Sequence, residues 1–158
     1  MSADSPSPLI HYATPDLRRH PPRSPRVRLG GFVHLPRLAD KARAAAAGKL
    51  GEYIYPCPLD QRFFAFTGLT PEAFLDAVRS EPSDTQLLAR VMQNLSPARA
   101  PHEILAWSHW MENLSIGDAR RHRTFAEEIE RLAPDRSDIV TYFDRLDLDD
   151  YVSFGGRG

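Results

Sequence analysis

Residues 36–48 read PRLADKARAAAAG, and this stretch decides how the rest of the chain is interpreted. The segment Arg37–Ala47 is rich in residues with high helix propensity and stops at Gly48, the residue type that most often follows a helix. Leu38 and Ala42 are four residues apart and therefore share a face. From this point onward apolar residues recur with helical spacing, and alternating β-branched residues are almost absent. We therefore expect an all-α fold.

Helix-start signals recur downstream of this stretch. Pro58–Thr67 is predicted as a short helix that ends at Gly68. The later helices are predicted to begin at or just after Thr70, Ser83, Pro101, Asp118 and Ser137. In the helix after Asp118, His122 is predicted to lie on the apolar face. The sequence thus predicts one compact domain of six or seven short helices.

The N-terminal part of the chain has a different composition. Seven of the 14 prolines lie within the first 36 residues, and proline disfavours helix both at its own position and at the residue before it. We expect an extended arm rich in proline and arginine that turns at Gly30–Gly31. The predicted organisation is a flexible tail at 1–15, a helical domain at 16–150 that includes the arm at 16–35, and a loose tail at 151–158.

Length and composition exclude several classes of protein. The chain has 158 residues, which suits one domain, and its apolar fraction of 42% excludes disorder throughout. A single cysteine excludes an internal disulfide framework and a cysteine-rich zinc module. There is no run of apolar residues long enough to span a membrane and no secretory signal at the start. We expect a soluble, cytoplasmic protein with no membrane partner.

The charges are distributed unevenly along the chain. Residues 1–50 contain nine basic and three acidic residues, whereas the remainder contains 11 basic and 18 acidic ones. One interpretation is that the basic segment lies against the acidic body and the charges neutralise each other. The other is that its arginines form a cleft for a small anionic metabolite, because a guanidinium matches phosphate and carboxylate groups. The sequence leaves both interpretations open.

Five segments in the N-terminal half resemble a known family. They are RSPR at 23–26, LGGFVHLPRL at 29–38, DKARA at 40–44, LGEY at 50–53 and CPLD at 57–60. The chain resembles a family of small bacterial proteins catalogued only as a domain of unknown function, from about Asp16 to Asp150 and most strongly between Arg23 and Phe66. The resemblance implies a bacterial source and a stand-alone protein. It implies no activity, cofactor or site.

Cys57 is the residue whose position most suggests chemistry. It lies between two prolines and, if Pro58 begins a helix, it is the N-cap, where the helix dipole favours a thiolate. His34 is a candidate base for this thiol, and Asp60 is a third candidate catalytic residue. A structural alternative stays open for each of two residues. Cys57 is a small buried apolar residue in this alternative, and His34 caps a backbone N–H of the neighbouring helix.

The candidate ligand-binding residues surround the same segment. Arg37 and Lys41 are four residues apart on the first helix and are predicted to share a face. The full predicted set of ligand contacts is Arg23, Arg26, Arg37, Lys41, Tyr53, Tyr55 and Arg62. Nucleotide-binding glycine motifs are absent, and the spacing of His102, His109 and His122 is a weak metal signature. We therefore predict neither a metal nor a cofactor.

Two functions from different classes follow from these observations. The first is binding of a small anionic metabolite in a cationic cleft, with thiol or acid/base chemistry supplied by Cys57, His34 and Asp60. The second is a non-enzymatic adaptor or regulatory protein that uses the N-terminal arm to contact another protein or a second copy of the chain. Nucleic-acid binding ranks last, because the arginines are not interleaved with aromatic residues and no recognition helix is evident. The sequence leaves open whether the protein is an enzyme.

Overall fold

Seven helices and one short hairpin form the part of the chain that the computed structural model describes, residues 13–156. The strands are β1 (Arg28–Leu29) and β2 (Phe32–Val33), and the helices are α1 (Leu35–Ala46), α2 (Pro58–Thr67), α3 (Pro71–Ser80), α4 (Asp84–Gln93), α5 (Pro101–Glu112), α6 (Ala119–Leu132) and α7 (Tyr142–Ser153). The prediction of a mostly helical fold is confirmed, with a small two-stranded sheet in addition. Within these residues no helix could span a bilayer, since the longest, α6, has 14 residues.

Several predicted helix ends are confirmed at the level of single residues. Helix α2 begins at Pro58 with Cys57 as its N-cap, and it ends before Gly68, which has a φ of +76°. The hydroxyl of Thr70 accepts a hydrogen bond from the third residue of α3, and Ser83 does the same for α4. These ends are determined by local chemistry, which is why the sequence alone predicts them.

The prediction for the last helix is wrong at both ends. Helix α7 is capped by Thr141 rather than Ser137, because the Thr141 hydroxyl accepts from the N–H of Asp144 while the Asp144 carboxylate accepts from the N–H of Thr141. Thr141 also pairs with Ser115 in an isolated β-bridge, which keeps the preceding segment extended. At its other end the helix continues to Ser153, three residues into the segment predicted as a tail.

The position predicted for His122 is also wrong. His122 is exposed, as is every other residue from 119 to 124. Helix α6 contributes to a core only from Phe125 onward, where Ile129 belongs to a small apolar cluster that also contains Ile139 and Leu148. The first half of α6 lies beyond this contact, so a histidine with correct helical spacing has no core to enter.

The predicted turn at Gly30–Gly31 joins two strands that the sequence did not reveal. Both glycines have positive φ values, 58° and 85°, as a two-residue turn between antiparallel strands requires. The hydroxyl of Ser108 on α5 links to the hairpin, donating to the carbonyl of Gly31 and accepting from the N–H of Val33. The hairpin is thereby fixed against α5, and the chain enters α1 directly after it.

Aromatic rings form the main core around α2. Phe63 is fully buried, and its ring centroid lies 5.5 Å from that of Phe32, 5.9 Å from that of Phe74 and 6.0 Å from that of Trp107. Helix α1 contributes its small and branched residues to the same core and packs against α3. This packing leaves the polar side of α1 to be covered by the arm, α7 and the segment before α2.

The arm lies against the body where the structure describes it. Leu17 is buried, and its backbone N–H donates to the carbonyl of Lys49 at 3.0 Å. Most of the predicted flexible tail at 1–15 falls on residues 1–12, which lie outside the described residues, as do residues 157 and 158 of the predicted C-terminal tail.

Candidate functional site

The charged face of α1 is buried rather than solvated. Arg37, Asp40, Lys41 and Arg43 are each no more than 3% exposed, and His34, the N-cap of the helix, is fully buried. Buried charges require partners, because an isolated ion in a protein interior is strongly unfavourable. Three groups of side chains supply these partners, and we name each group by its central carboxylate.

The Asp84 group joins the arm to α1 and α4. Arg23 donates to Asp40 from Nε and Nη2 and to Asp84 from Nη1 at 2.6 Å. Arg43 donates to Asp84 at 2.8 Å, while its Nε and Nη2 find no hydrogen-bond partner among residues 13–156. Asp40 and Arg43 are three residues apart on α1 but have different partners, because Asp40 accepts from Arg23 and Arg43 donates to Asp84.

The Asp150 group joins α1 to the last helix. Arg37 donates to both carboxylate oxygens of Asp150, at 2.6 and 3.3 Å, and the Tyr53 hydroxyl donates to the same carboxylate at 2.7 Å. The Arg37 guanidinium also lies 5.7 Å from the centre of the Tyr53 ring. Burial and the hydrogen bond to Asp150 raise the pKa of Tyr53, so its hydroxyl stays protonated and remains a donor.

The Asp60 group contains the three predicted catalytic residues, His34, Cys57 and Asp60, together with Lys41. The carboxylate of Asp60 accepts from His34 Nε2 at 2.7 Å and from Lys41 Nζ at 2.6 Å. It also accepts from the backbone N–H of Cys57 at 2.8 Å, which joins the start of α2 to α1. The sequence predicted His34, Cys57 and Asp60 as candidate catalytic residues and Lys41 as a ligand contact, and the structure places all four in one hydrogen-bonded chain.

Lys41 is the member that contacts the cysteine sulfur. Its Nζ lies 3.2 Å from Cys57 Sγ, 3.0 Å from the carbonyl oxygen of Ile54 and 2.6 Å from Asp60 Oδ2. A lysine ammonium has three N–H donors, so all three have an acceptor and the sulfur is one of them. The Lys41 side chain is 4% exposed, whereas Cys57 is partly exposed. The group therefore runs from the buried His34 to a sulfur near the surface.

The protonation of the buried end follows from its surroundings. Burial lowers the pKa of His34, and the hydrogen bond with Asp60 opposes this only in part. Burial by itself would raise the pKa of Asp60, but the hydrogen bond from His34 and the charge of Lys41 outweigh it and hold that pKa at about 2. At neutral pH Asp60 is thus ionised and can only accept. His34 Nε2 must then carry the hydrogen, which leaves Nδ1 as the unprotonated nitrogen; Nδ1 has no partner among residues 13–156.

We expect the protein to lose stability as the pH falls below about 6.5 because of His34. Its pKa is lower in the folded state than in the unfolded chain, so the unfolded chain takes up the proton first. One group of this kind gives a slope of at most about 1.4 kcal/mol per pH unit in the free energy of unfolding. Urea unfolding between about pH 7 and 5 measures this slope, and His34→Asn should flatten it. Asparagine suits the left-handed backbone at this position, where φ is +67°.

Three carboxylates with shifted pKa values do not produce this effect. Asp60 and Asp84 have lowered pKa values, so their contribution to stability is lost only at more acidic pH. Asp149, whose pKa is raised by burial, changes stability with the opposite sign and is present in both proteins. Equal slopes for the wild type and His34→Asn would contradict the assignment of a neutral, buried His34.

The remaining predicted ligand contacts lie apart from Cys57 or already have partners. Arg26 pairs with Asp144 and, at 3.3 Å, with Asp147 on α7. The Tyr55 hydroxyl donates to the carbonyl of Pro71 at 2.7 Å. The Arg62 guanidinium lies 5.4 Å from the centre of the Trp110 ring. Ligand binding by these residues stays a prediction, and the structure shows them making intramolecular contacts.

Two of the larger cavities are bordered by α7. One of about 480 Å³ lies between α6 and α7, beside Phe125 and Tyr142. Another of about 470 Å³ lies between the arm, the segment after α1 and α7. Tyr53, which lines the second, is the only predicted ligand residue that lines either of these cavities or either of two others, of about 420 and 70 Å³, and Cys57 lines none of the four. Within residues 13–156 no three His, Cys, Asp or Glu side chains are placed to hold a metal ion.

Sequence reasoning missed two carboxylates that organise these groups. Neither Asp84 nor Asp150 was among the candidate site residues predicted from the sequence. The excess of acid in residues 51–158 was the available signal, since a basic segment requires acidic partners elsewhere in the chain. This excess indicated that the partners are negatively charged but did not indicate where in the chain they lie.

The fold and the site together define a class of protein. It is a mostly helical protein whose central helix carries buried ion pairs, one of which continues to a partly exposed cysteine. The chain belongs to the family described as a domain of unknown function, DUF5069, whose model matches residues 19–152. This agrees with the resemblance found in the sequence. No curated protein matches the chain.

Proposed function

We propose that this protein carries out thiol chemistry at Cys57, with a small peroxide as the electrophile. The observation that carries the proposal is the contact of 3.2 Å between Lys41 Nζ and Cys57 Sγ. A buried ammonium donating to a partly exposed sulfur favours the thiolate, which is the nucleophilic form of cysteine. The position of Cys57 at the N-terminus of α2 acts in the same direction.

The surroundings of the sulfur favour a small reaction partner. Cys57 lines none of the four cavities described above. Its neighbours in the chain are Pro56 and Pro58, and Ile54, three residues before it, is exposed. None of these four cavities lies at the sulfur, so none of them offers a shaped pocket for a substrate of Cys57. A peroxide reacts without such a pocket. In this reaction the thiolate attacks one peroxide oxygen and becomes sulfenic acid. The other oxygen leaves as hydroxide and takes up a proton to form water.

Lys41 has a defined role in this proposal. Its charge stabilises the thiolate before attack, and Asp60 holds the ammonium in place from the buried side. His34 completes the chain by donating to Asp60, so it acts as a positioning residue rather than as a base for the thiol.

We expect Cys57 in the folded protein to react with hydrogen peroxide faster than the same cysteine in the urea-unfolded chain at equal pH. Lys41→Met should slow the reaction of the folded protein by about tenfold, which corresponds to a lost interaction of about 1.4 kcal/mol. Trapping of the sulfenic acid with dimedone, followed by mass spectrometry, measures both rates.

Glu128→Gln is the matched control for this experiment. It removes one partner of an interhelical ion pair, between Arg145 and Glu128 at 2.6 Å, that has no member in the Asp60 group. Its rate should equal that of the wild type. A folded wild-type protein that reacts no faster than the unfolded chain would overturn the proposal without reliance on any variant.

Binding of an anionic metabolite by Arg23, Arg26, Arg37 and Lys41 is a weaker proposal. Each of these cations already donates to at least one carboxylate, so a ligand would have to displace Asp40, Asp60, Asp84, Asp144 or Asp150. An adaptor that uses the arm is weaker for a similar reason, because the arm is held by Arg23 and by the buried Leu17. Neither proposal is supported by an observation as direct as the contact between Lys41 Nζ and Cys57 Sγ.

A further inference from the structure

A sulfenic acid at Cys57 has few ways to react further within its own chain. The usual one is condensation with a second thiol, but Cys57 is the only cysteine in the sequence. A second is condensation with a neighbouring backbone nitrogen to give a cyclic sulfenamide. The residue after Cys57 is Pro58, which has no backbone N–H, so this reaction is blocked there.

The amine that lies close to the sulfur is that of Lys41. Lys41 Nζ is 3.2 Å from Sγ, and the carbonyl of Ile54 and the carboxylate of Asp60 hold it in that position. The Lys41 side chain extends from helix α1 and is almost fully buried, so it has little freedom to move away from the sulfur. This arrangement provides a high effective concentration of one amine at one sulfur.

We propose that Lys41 captures oxidised Cys57 as a covalent Nζ–Sγ bond, a sulfenamide that joins α1 to the start of α2. The inference rests on the proposed peroxide reactivity of Cys57. In the first step the thiol and one peroxide give sulfenic acid and water. In the second step Lys41 first gives up one proton, because only the neutral amine has a lone pair; its nitrogen then attacks sulfur and the S–O bond breaks. Of the three ammonium hydrogens, one leaves with the hydroxyl as water, one is released to solvent and one stays on nitrogen.

The overall change balances with a single oxidant. One peroxide is reduced to two waters by two protons and two electrons from the protein, and the third proton lost by Cys57 and Lys41 goes to solvent. A reducing thiol reverses the reaction by restoring the cysteine and the amine while being oxidised to its own disulfide. The bond would protect the sulfur from irreversible oxidation to sulfinic acid. It would also remove the charge of Lys41 from Asp60, so oxidation at the surface would be transmitted to the buried His34.

The test treats the full-length wild-type protein with an equimolar amount of hydrogen peroxide and follows its intact mass and its tryptic peptides. We expect a mass lower by two hydrogens, reversed by dithiothreitol. Trypsin should no longer cleave after Lys41, since its amine is blocked, and peptide 38–43 should appear joined to peptide 50–62, which contains Cys57.

Lys41→Arg is the matched variant. It keeps a cation beside the sulfur but lacks the primary amine, so we expect it to stop at a sulfenic acid, with a mass higher by one oxygen and a dimedone adduct. If this variant does not fold, the peptide map of the wild type decides the question by itself.

The outcomes separate this inference from the proposed function. A wild-type protein that gains oxygen at Cys57 while Lys41 remains cleavable would overturn the sulfenamide and leave the thiol chemistry standing. An interchain disulfide would also overturn it, because a second thiol would then be the trap. A link between Lys41 and Cys57 that retains an oxygen between nitrogen and sulfur would overturn the proposal of a direct Nζ–Sγ bond. A folded protein whose Cys57 reacts no faster than the unfolded chain would overturn both proposals.

Discussion

Asp60→Asn is expected to lower the free energy of unfolding by about 3–5 kcal/mol, the usual loss when one partner of a buried ion pair is removed. The Asp60 side chain is fully buried and accepts from His34, Lys41 and the backbone of Cys57. An asparagine of the same shape offers one oxygen and an amide that can only donate, so the buried Lys41 ammonium loses its counter-charge. Urea unfolding at neutral pH measures the difference.

Asp16→Asn provides the comparison for this prediction. Asp16 also accepts two hydrogen bonds from an arginine, Arg18, at 2.8 Å each, but that arginine is 56% exposed. Water and salt screen an exposed pair, so its removal should produce a much smaller loss than that of Asp60→Asn. Equal losses for the two variants would mean that the Asp60 group contributes no more than a surface pair.

The second large effect is expected at the centre of the aromatic core. Phe63→Ala should cost about 3–5 kcal/mol, because it removes a buried ring and leaves a cavity that the surrounding rings cannot fill. Phe32, Phe64, Phe74 and Trp107 all lie with ring centroids within 6.0 Å of the Phe63 ring. The slope of the free energy of unfolding against urea should stay unchanged, which indicates that only stability is altered.

Phe154→Ala tests whether this loss depends on burial. Phe154 follows α7 and is 38% exposed, so truncating it removes much less packing. Its loss should be clearly smaller than that of Phe63→Ala. A similar loss at both positions would show that Phe63 does not have the central place in the core that its ring contacts indicate.

The two predictions bear on function in different ways. Phe63 supports the fold as a whole, and its replacement should leave the chemistry of Cys57 unchanged in molecules that remain folded. Asp60 also positions Lys41 beside the sulfur, so Asp60→Asn should slow the peroxide reaction in the folded fraction as well. Measuring both properties on both variants separates a general loss of stability from a specific loss of thiol reactivity.

The predictions from sequence succeeded where neighbouring residues decide the outcome. Pro58 and Gly68 mark the ends of α2, and Cys57 is its N-cap, as predicted. The same local reasoning failed at α7, because Ser137 and Thr141 are both chemically suited to capping a helix. In the structure Thr141 pairs with the distant Ser115, and its reciprocal hydrogen bonds with Asp144 close the start of α7.

The candidate site shows the same division. Cys57, His34 and Asp60 were predicted as catalytic residues because unusual residues cluster within one third of the chain and these three suit thiol or acid/base chemistry. Lys41 was predicted to contact a ligand, and its contact with the sulfur did not follow from its spacing. That contact depends on how α1 and the start of α2 pack, which no pattern within either segment specifies.

The sequence by itself determined the helical class of the fold, most of the helix ends, the turn at Gly30–Gly31 and the excess of basic residues near the N-terminus. Each depends on propensity, capping or composition, which act over a few residues. The tertiary structure alone decided which carboxylate pairs with each cation and that the charged side of α1 is buried. The physical reason is that a buried charge is tolerated only beside a partner, and Asp84 and Asp150 reach α1 only when the chain is folded.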